Sequence, residues 1–143
     1  MGIPASVAPE LLDLTNKMVA FAWGWMAFGI FVGLIIGMWS FDGPAPTPSI
    51  VGPYDSTARR LIRLGHVAFI MLPLISMTYA VHILTTSLTP DNKLLAVKLC
   101  WFGMVGVPVT CMSGAFVRPT KYLMSFPAIS MFVSLCMMAV GKH

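Results

Sequence analysis

Residues 18–41 read MVAFAWGWMAFGIFVGLIIGMWSF, a stretch without a single charged side chain. A helix rising about 1.5 Å per residue needs ~20 apolar residues to cross the ~30 Å hydrocarbon core of a bilayer, and this stretch exceeds that length. Three further apolar stretches of similar character follow, at about 59–86, 94–116 and 123–140. The sequence therefore predicts an all-α integral membrane bundle of four transmembrane helices, with both termini on the same side.

Composition agrees with that reading. Of 143 residues, 57% are hydrophobic and 10% charged, and the mean hydropathy is +0.84, far from an ordinary soluble domain. Four spans consume most of the chain, so residues 1–143 form a single transmembrane domain and leave no room for a soluble catalytic one. The formal charge is +4, from nine Lys and Arg against five Asp and Glu, but the cations are scattered over the loops. A nucleic-acid partner gains no support from that distribution, whereas lipid headgroups do. Cys100, Cys111 and Cys136 all fall in apolar stretches and read as small buried side chains rather than a disulfide framework. The entry MGIPASVAPELLDLTNK has no positive region ahead of an apolar stretch, so no cleavable signal peptide is expected. Ser6 or Pro9, followed by Glu10 and Asp13, predicts the start of a short interfacial helix there.

The first span carries Gly29, Gly33 and Gly37, a G-x-x-x-G-x-x-x-G ladder on one face that lets another helix backbone approach closely. Its partner is expected within this chain, with a helix from another chain as the alternative. Residues 42–57, DGPAPTPSIVGPYDST, hold four prolines and predict an extended loop longer than adjacent helices require. Ser56 or Thr57 is placed to cap the second helix. Pro73 interrupts that helix and frees the carbonyl of Phe69, which Ser76 or a neighbour must satisfy. Loops 42–58 and 117–122, with the helix start beside the first of them, gather Arg59, Arg60, Arg63, Arg118 and Lys121. The other side has Lys17, Lys93, Lys98 and Lys142. The positive-inside rule accordingly expects loops 42–58 and 117–122 to be cytoplasmic.

All five carboxylates, Glu10, Asp13, Asp42, Asp55 and Asp91, fall outside the four stretches, which removes the usual ion-coupling group of a transporter. Nor does any acid–histidine pair, nucleophile elbow or metal-protease pattern appear. Lys98 lies one turn inside its span, from where its stem can reach the interface. The informative residues are His66 and His82, because histidine at membrane depth is a functional candidate. Sixteen residues separate them, about 24 Å along one helix, so they belong to opposite membrane faces.

Arg59 and Arg63 stand seven and three residues before His66 and share its face. An imidazole with two guanidiniums at the rim suits haem b: His66 as axial metal ligand, Arg59 and Arg63 at the propionates, Gly65 leaving space beside the ring. The competing account has the arginines on lipid phosphates and His66 in an interfacial hydrogen bond. His82, with Thr78, Tyr79, Thr85 and Thr86, forms a polar cluster near the other face, expected to be a hydrogen-bonded interfacial cluster, with a haem or tetrapyrrole contact, a His82–His143 ligand pair or a quinone border as the alternatives. Cys100, Met104 and Cys111 lie in one stripe of soft donors able to hold Cu(I), against the simpler reading of adaptable packing.

These observations predict an accessory or structural membrane subunit of a larger complex, not an enzyme on its own. It is expected to work with other membrane subunits in electron transfer or energy conversion, in a bacterial-type inner membrane or another energy-converting one. The alternatives are a b-type cytochrome subunit linked to quinone through His66, and a small homo-oligomeric transporter.

Overall fold

The computed structural model describes residues 7–40 and 43–142. They form α1 (Val7–Gly37), α2 (Thr57–Ile83), α3 (Pro90–Phe116) and α4 (Ser125–Val140), with a 3₁₀ turn, Arg118–Met124, leading into α4. All four spans, counting the turn with α4, are long and apolar enough to cross a membrane. The expected all-α architecture of four membrane-capable helices is the one observed.

Several boundaries shift: α2 ends at Ile83 rather than near 86, and α3 begins at Pro90 rather than near 94. α1 starts at Val7 and ends at Gly37, so the expected interfacial helix and the first span are one continuous helix of 31 residues. Pro9 and Glu10 sit in its first turn, where a missing N–H and a negative charge favour a helix start. Ser6 lies outside the described residues. The connection after α3 is not an open loop but the 3₁₀ turn, begun by Pro119 and folded against α3 at Gly114. A β-carbon on Gly114 would stand 3.1 Å from the Lys121 Cα.

Local signals set the other helix starts. Ser56 accepts from the Arg59 N–H at 3.2 Å and donates to the Val51 carbonyl at 2.7 Å, which ties the proline-rich loop to the cap of α2. Thr89 caps α3 and Pro90 occupies its first turn. Pro73 is fully buried inside α2. Ser76 does not serve the freed carbonyl; its hydroxyl lies 3.4 Å from the Cys100 Sγ.

α2 and α3 form the centre, with α1 against α2, α4 against α3, and no extensive contact between α1 and α4. The close-packed core lies towards the terminal end: Leu11, Met18 and Ala22 from α1, Tyr79, Ala80 and Ile83 from α2, Ala96, Val97, Cys100 and Met104 from α3, and Met131 from α4. At that end Ser87, between α2 and α3, donates from its backbone N–H to the Gly141 carbonyl at 2.7 Å. The starts of α1 and α3 and the ends of α2 and α4 thus share one side of the bundle.

Polar side chains bind the helices where the apolar core cannot discriminate between packings. Ser134 donates to the Ala96 carbonyl and Ser130 to the Leu99 carbonyl, both at 2.9 Å, while Tyr79 donates to the Ser134 carbonyl at 3.1 Å. Towards the other end small residues take over. A β-carbon on Gly29 would come within 2.7 Å of the Phe69 Cβ, and one on Gly33 would overlap the His66 ring. Two rungs of the glycine ladder therefore seat α2 of the same chain, whereas Gly37 has nothing within 4 Å.

Candidate functional site

α1 and α2 diverge beyond Gly33, and the gap between them is a cavity of about 190 Å³. Its lining includes Gly33, Gly37, Trp39, Tyr54, Arg59, Arg63 and His66. The structure thus brings the three predicted basic residues of α2 into one cavity and closes it with two aromatic residues from outside that helix. His82 lies elsewhere, exposed in a groove between α2 and α4. One ligand the size of this cavity cannot reach both histidines. His143 lies outside the described residues, and with it the proposed His82–His143 pair.

The two arginines are already occupied in part. Arg59 Nη2 donates to the Trp39 carbonyl and to Thr47 Oγ1, each at 3.3 Å. Arg63 donates from Nη2 to the Tyr54 carbonyl at 3.1 Å and from Nε to the Arg59 carbonyl at 3.3 Å. The guanidinium carbons of Arg63 and Arg59 lie 4.5 and 5.5 Å from the centre of the Tyr54 ring. These contacts fasten the loop after residue 43 over the start of α2. Each guanidinium has five N–H donors, so both keep donors for a further acceptor.

His66 is half-buried, with its Nε2 directed at the backbone of Gly33. A haem iron needs open space next to the ligating nitrogen, and here α1 fills it. The space expected beside Gly65 is also taken: a β-carbon there would stand 2.9 Å from the Met112 Cγ and Sδ. At about 190 Å³ the cavity is smaller than the ~300 Å³ at which cofactor clefts begin. Haem does not fit between α1 and α2 as they are packed, and the expectation that Gly65 leaves room for a ring is corrected by Met112. A small acceptor, such as one phosphate or carboxylate group, is the size that Arg59, Arg63 and His66 can share.

The soft donors of α3 separate as well. Cys100 and Met104 are buried in the core, with Cys100 Sγ 4.0 Å from Met131 Sδ. Cys111 Sγ instead lies 3.0 Å from Met124 Sδ near the 3₁₀ turn. Among the described residues no group of three or more His, Cys, Asp or Glu is placed to hold a metal ion.

Sequence reasoning found Arg59, Arg63 and His66 from their helical spacing but missed Trp39 and Tyr54. Only the run of Pro53 before Tyr54 and the position of Trp39 at an expected membrane edge signalled them. It also missed Lys142, whose ammonium donates to Thr85 Oγ1 at 3.1 Å and so stands beside His82 at the mouth of the α2–α4 groove. Comparison of the chain with family models, with curated proteins and with solved structures finds no match.

Proposed function

We propose that this chain is an accessory, non-catalytic subunit of a larger membrane complex engaged in electron transfer or energy conversion. The observation that carries the reading is the outer side of α1. Only 11% of its apolar window is buried, against 39% for α2 and for α3. Trp23, Phe28, Ile30, Phe31 and Leu34 point outward around Gly24, where a β-carbon would meet nothing within 4 Å. Gly29 and Gly33 are used inside the chain, but Gly24 is not, and the exposed Ala20 and Ala27 extend its notch. In a bilayer such a notch between large side chains favours close approach of a second helix, because packing rather than hydrophobicity drives association there.

The loop fastened by Arg59 and Arg63 supplies the complex with a second surface, at the membrane rim, and the arginines make that side the cytoplasmic one. The cytochrome alternative retains one supporting observation, the meeting of Arg59, Arg63 and His66 in one cavity, and it requires α1 to move off His66. Gentle solubilisation from native membranes, with native mass and a reduced-minus-oxidised visible spectrum, tests both. A particle much larger than 15.5 kDa that loses its partners in Gly24→Trp supports the subunit reading. A lone chain at every detergent concentration overturns it, and a b-type band lost in His66→Ala but kept in His82→Ala replaces it with the cytochrome.

A further inference from the structure

We infer that the groove between α2 and α4 is a binding site for one anionic phospholipid of the surrounding bilayer. The inference is independent of the subunit reading. The groove encloses about 430 Å³, within the range of true ligand clefts. Leu74 and Ile75 form one wall and Leu135 and Met138 the other, a surface that suits a hydrocarbon chain. From Leu74 to His82 the groove follows α2 for eight residues, about 12 Å of helix, ending at the terminal side of the bundle.

Polar groups appear only towards that end, and their hydrogen bonds decide what the head must be. Thr78 donates to the Leu74 carbonyl at 3.0 Å and Tyr79 to the Ser134 carbonyl at 3.1 Å, so neither hydroxyl proton is free for a ligand. What remains is the His82 imidazole and the Lys142 ammonium, which uses one of its three protons on Thr85. Thr85 in turn donates to the His82 carbonyl at 2.9 Å, which holds the ammonium beside the histidine. Among the described residues no carboxylate lines the groove. An apolar slot with donors and a fixed positive charge at its membrane-surface end is complementary to an acyl chain joined to a phosphate. Leu74 and Leu135 are exposed on the membrane-facing surface, so the slot opens directly onto bilayer lipid.

Native mass spectrometry of the full chain, released from detergent after equilibration with phosphatidylglycerol, phosphatidylcholine, oleate or a short-chain ubiquinone, tests the site. One phosphatidylglycerol should be retained in preference to phosphatidylcholine. Lys142→Gln, at the exposed rim, should lower its retention about tenfold, the loss of one charge-assisted contact. Leu135→Trp should lower it similarly by filling the slot, while Lys17→Gln, a distant exposed cation, should not. Circular dichroism and elution volume identify any variant that fails to fold, and Leu135→Phe then takes the place of the tryptophan. Equal retention of phosphatidylcholine, preferential retention of oleate or ubiquinone, or indifference to both the Lys142 and the Leu135 changes overturns the inference.

Discussion

The imidazole of His66 lies across Gly33, with Nε2 the atom nearest to where a β-carbon on that glycine would stand. α1 and α2 therefore meet through one residue with no side chain and one with a polar ring. Gly33→Ala should destabilise the bundle by about 1–3 kcal/mol, the usual range for overpacking. His66→Ala should remove most of that penalty when combined with it, because the clash belongs to the pair. Gly37→Ala, with nothing within 4 Å, should change stability by no more than about 0.5 kcal/mol. Thermal unfolding in one detergent checks all four proteins; additivity of the Gly33 and His66 changes would show that the ring does not bear on the glycine.

The serines of α4 lend themselves to a direct comparison. Ser134 is fully buried and Ser130 nearly so, and each reaches a carbonyl of α3 at 2.9 Å. Ser134→Ala and Ser130→Ala should each cost about 0.6 kcal/mol, the average for polar contacts between membrane helices, and no more than about 1.7 kcal/mol, their maximum. Ser125→Ala, exposed at the start of α4, should be silent in the same unfolding assay.

The fold was legible because bilayer thickness converts apolar length directly into a helix, and nothing beyond hydropathy was needed to find four. The seat of α2 on α1 was legible for Gly29 and Gly33, since residues four apart share a helix face. The start of α1 was not, because Glu10, Asp13 and Lys17 lower hydropathy without opposing a helix. The candidate site divides in the same way. Arg59, Arg63 and His66 follow from spacing along one helix, whereas Trp39 and Tyr54 reach them through a loop whose path only tertiary contacts define. Lys142 comes to His82 from sixty residues away, and no periodicity connects them.

Loop fastening by the arginines predicts a change that stability measurements will miss. Arg63→Ala removes a bond to the Tyr54 carbonyl and the closer of two cations on its ring. Exposed guanidinium contacts of this kind contribute about 0.5–1 kcal/mol, so global unfolding should move little. Local opening of the loop should nonetheless become more frequent, and limited proteolysis after residue 43 should accelerate. Arg63→Lys should not restore protection, since a lysine cannot reproduce the planar fork and stacking. Unchanged cleavage in Arg63→Ala would mean that the Arg59 bonds to Trp39 and Thr47 and the cap at Ser56 hold the loop without Arg63.

Lys93 and Lys98 stand one and a half turns apart on α3, yet the structure gives them opposite situations. Lys98 is exposed along the helix, where its stem can run to the interface. Lys93 is 3% exposed, and its ammonium donates to the Leu84 carbonyl at 2.9 Å. Leu84 caps the C-terminal end of α2, so Lys93 supplies a donor to a carbonyl that the helix itself leaves unpaired. Lys93→Met keeps the length of the side chain but removes the donor, and it should destabilise the protein by about 1 kcal/mol, the penalty for a half-buried acceptor left without its partner. Lys98→Met should remain within about 0.5 kcal/mol of the parent in the same thermal unfolding series. Equal effects of the two changes would place Lys93 at the interface with Lys98 and remove the tie between the end of α2 and the start of α3.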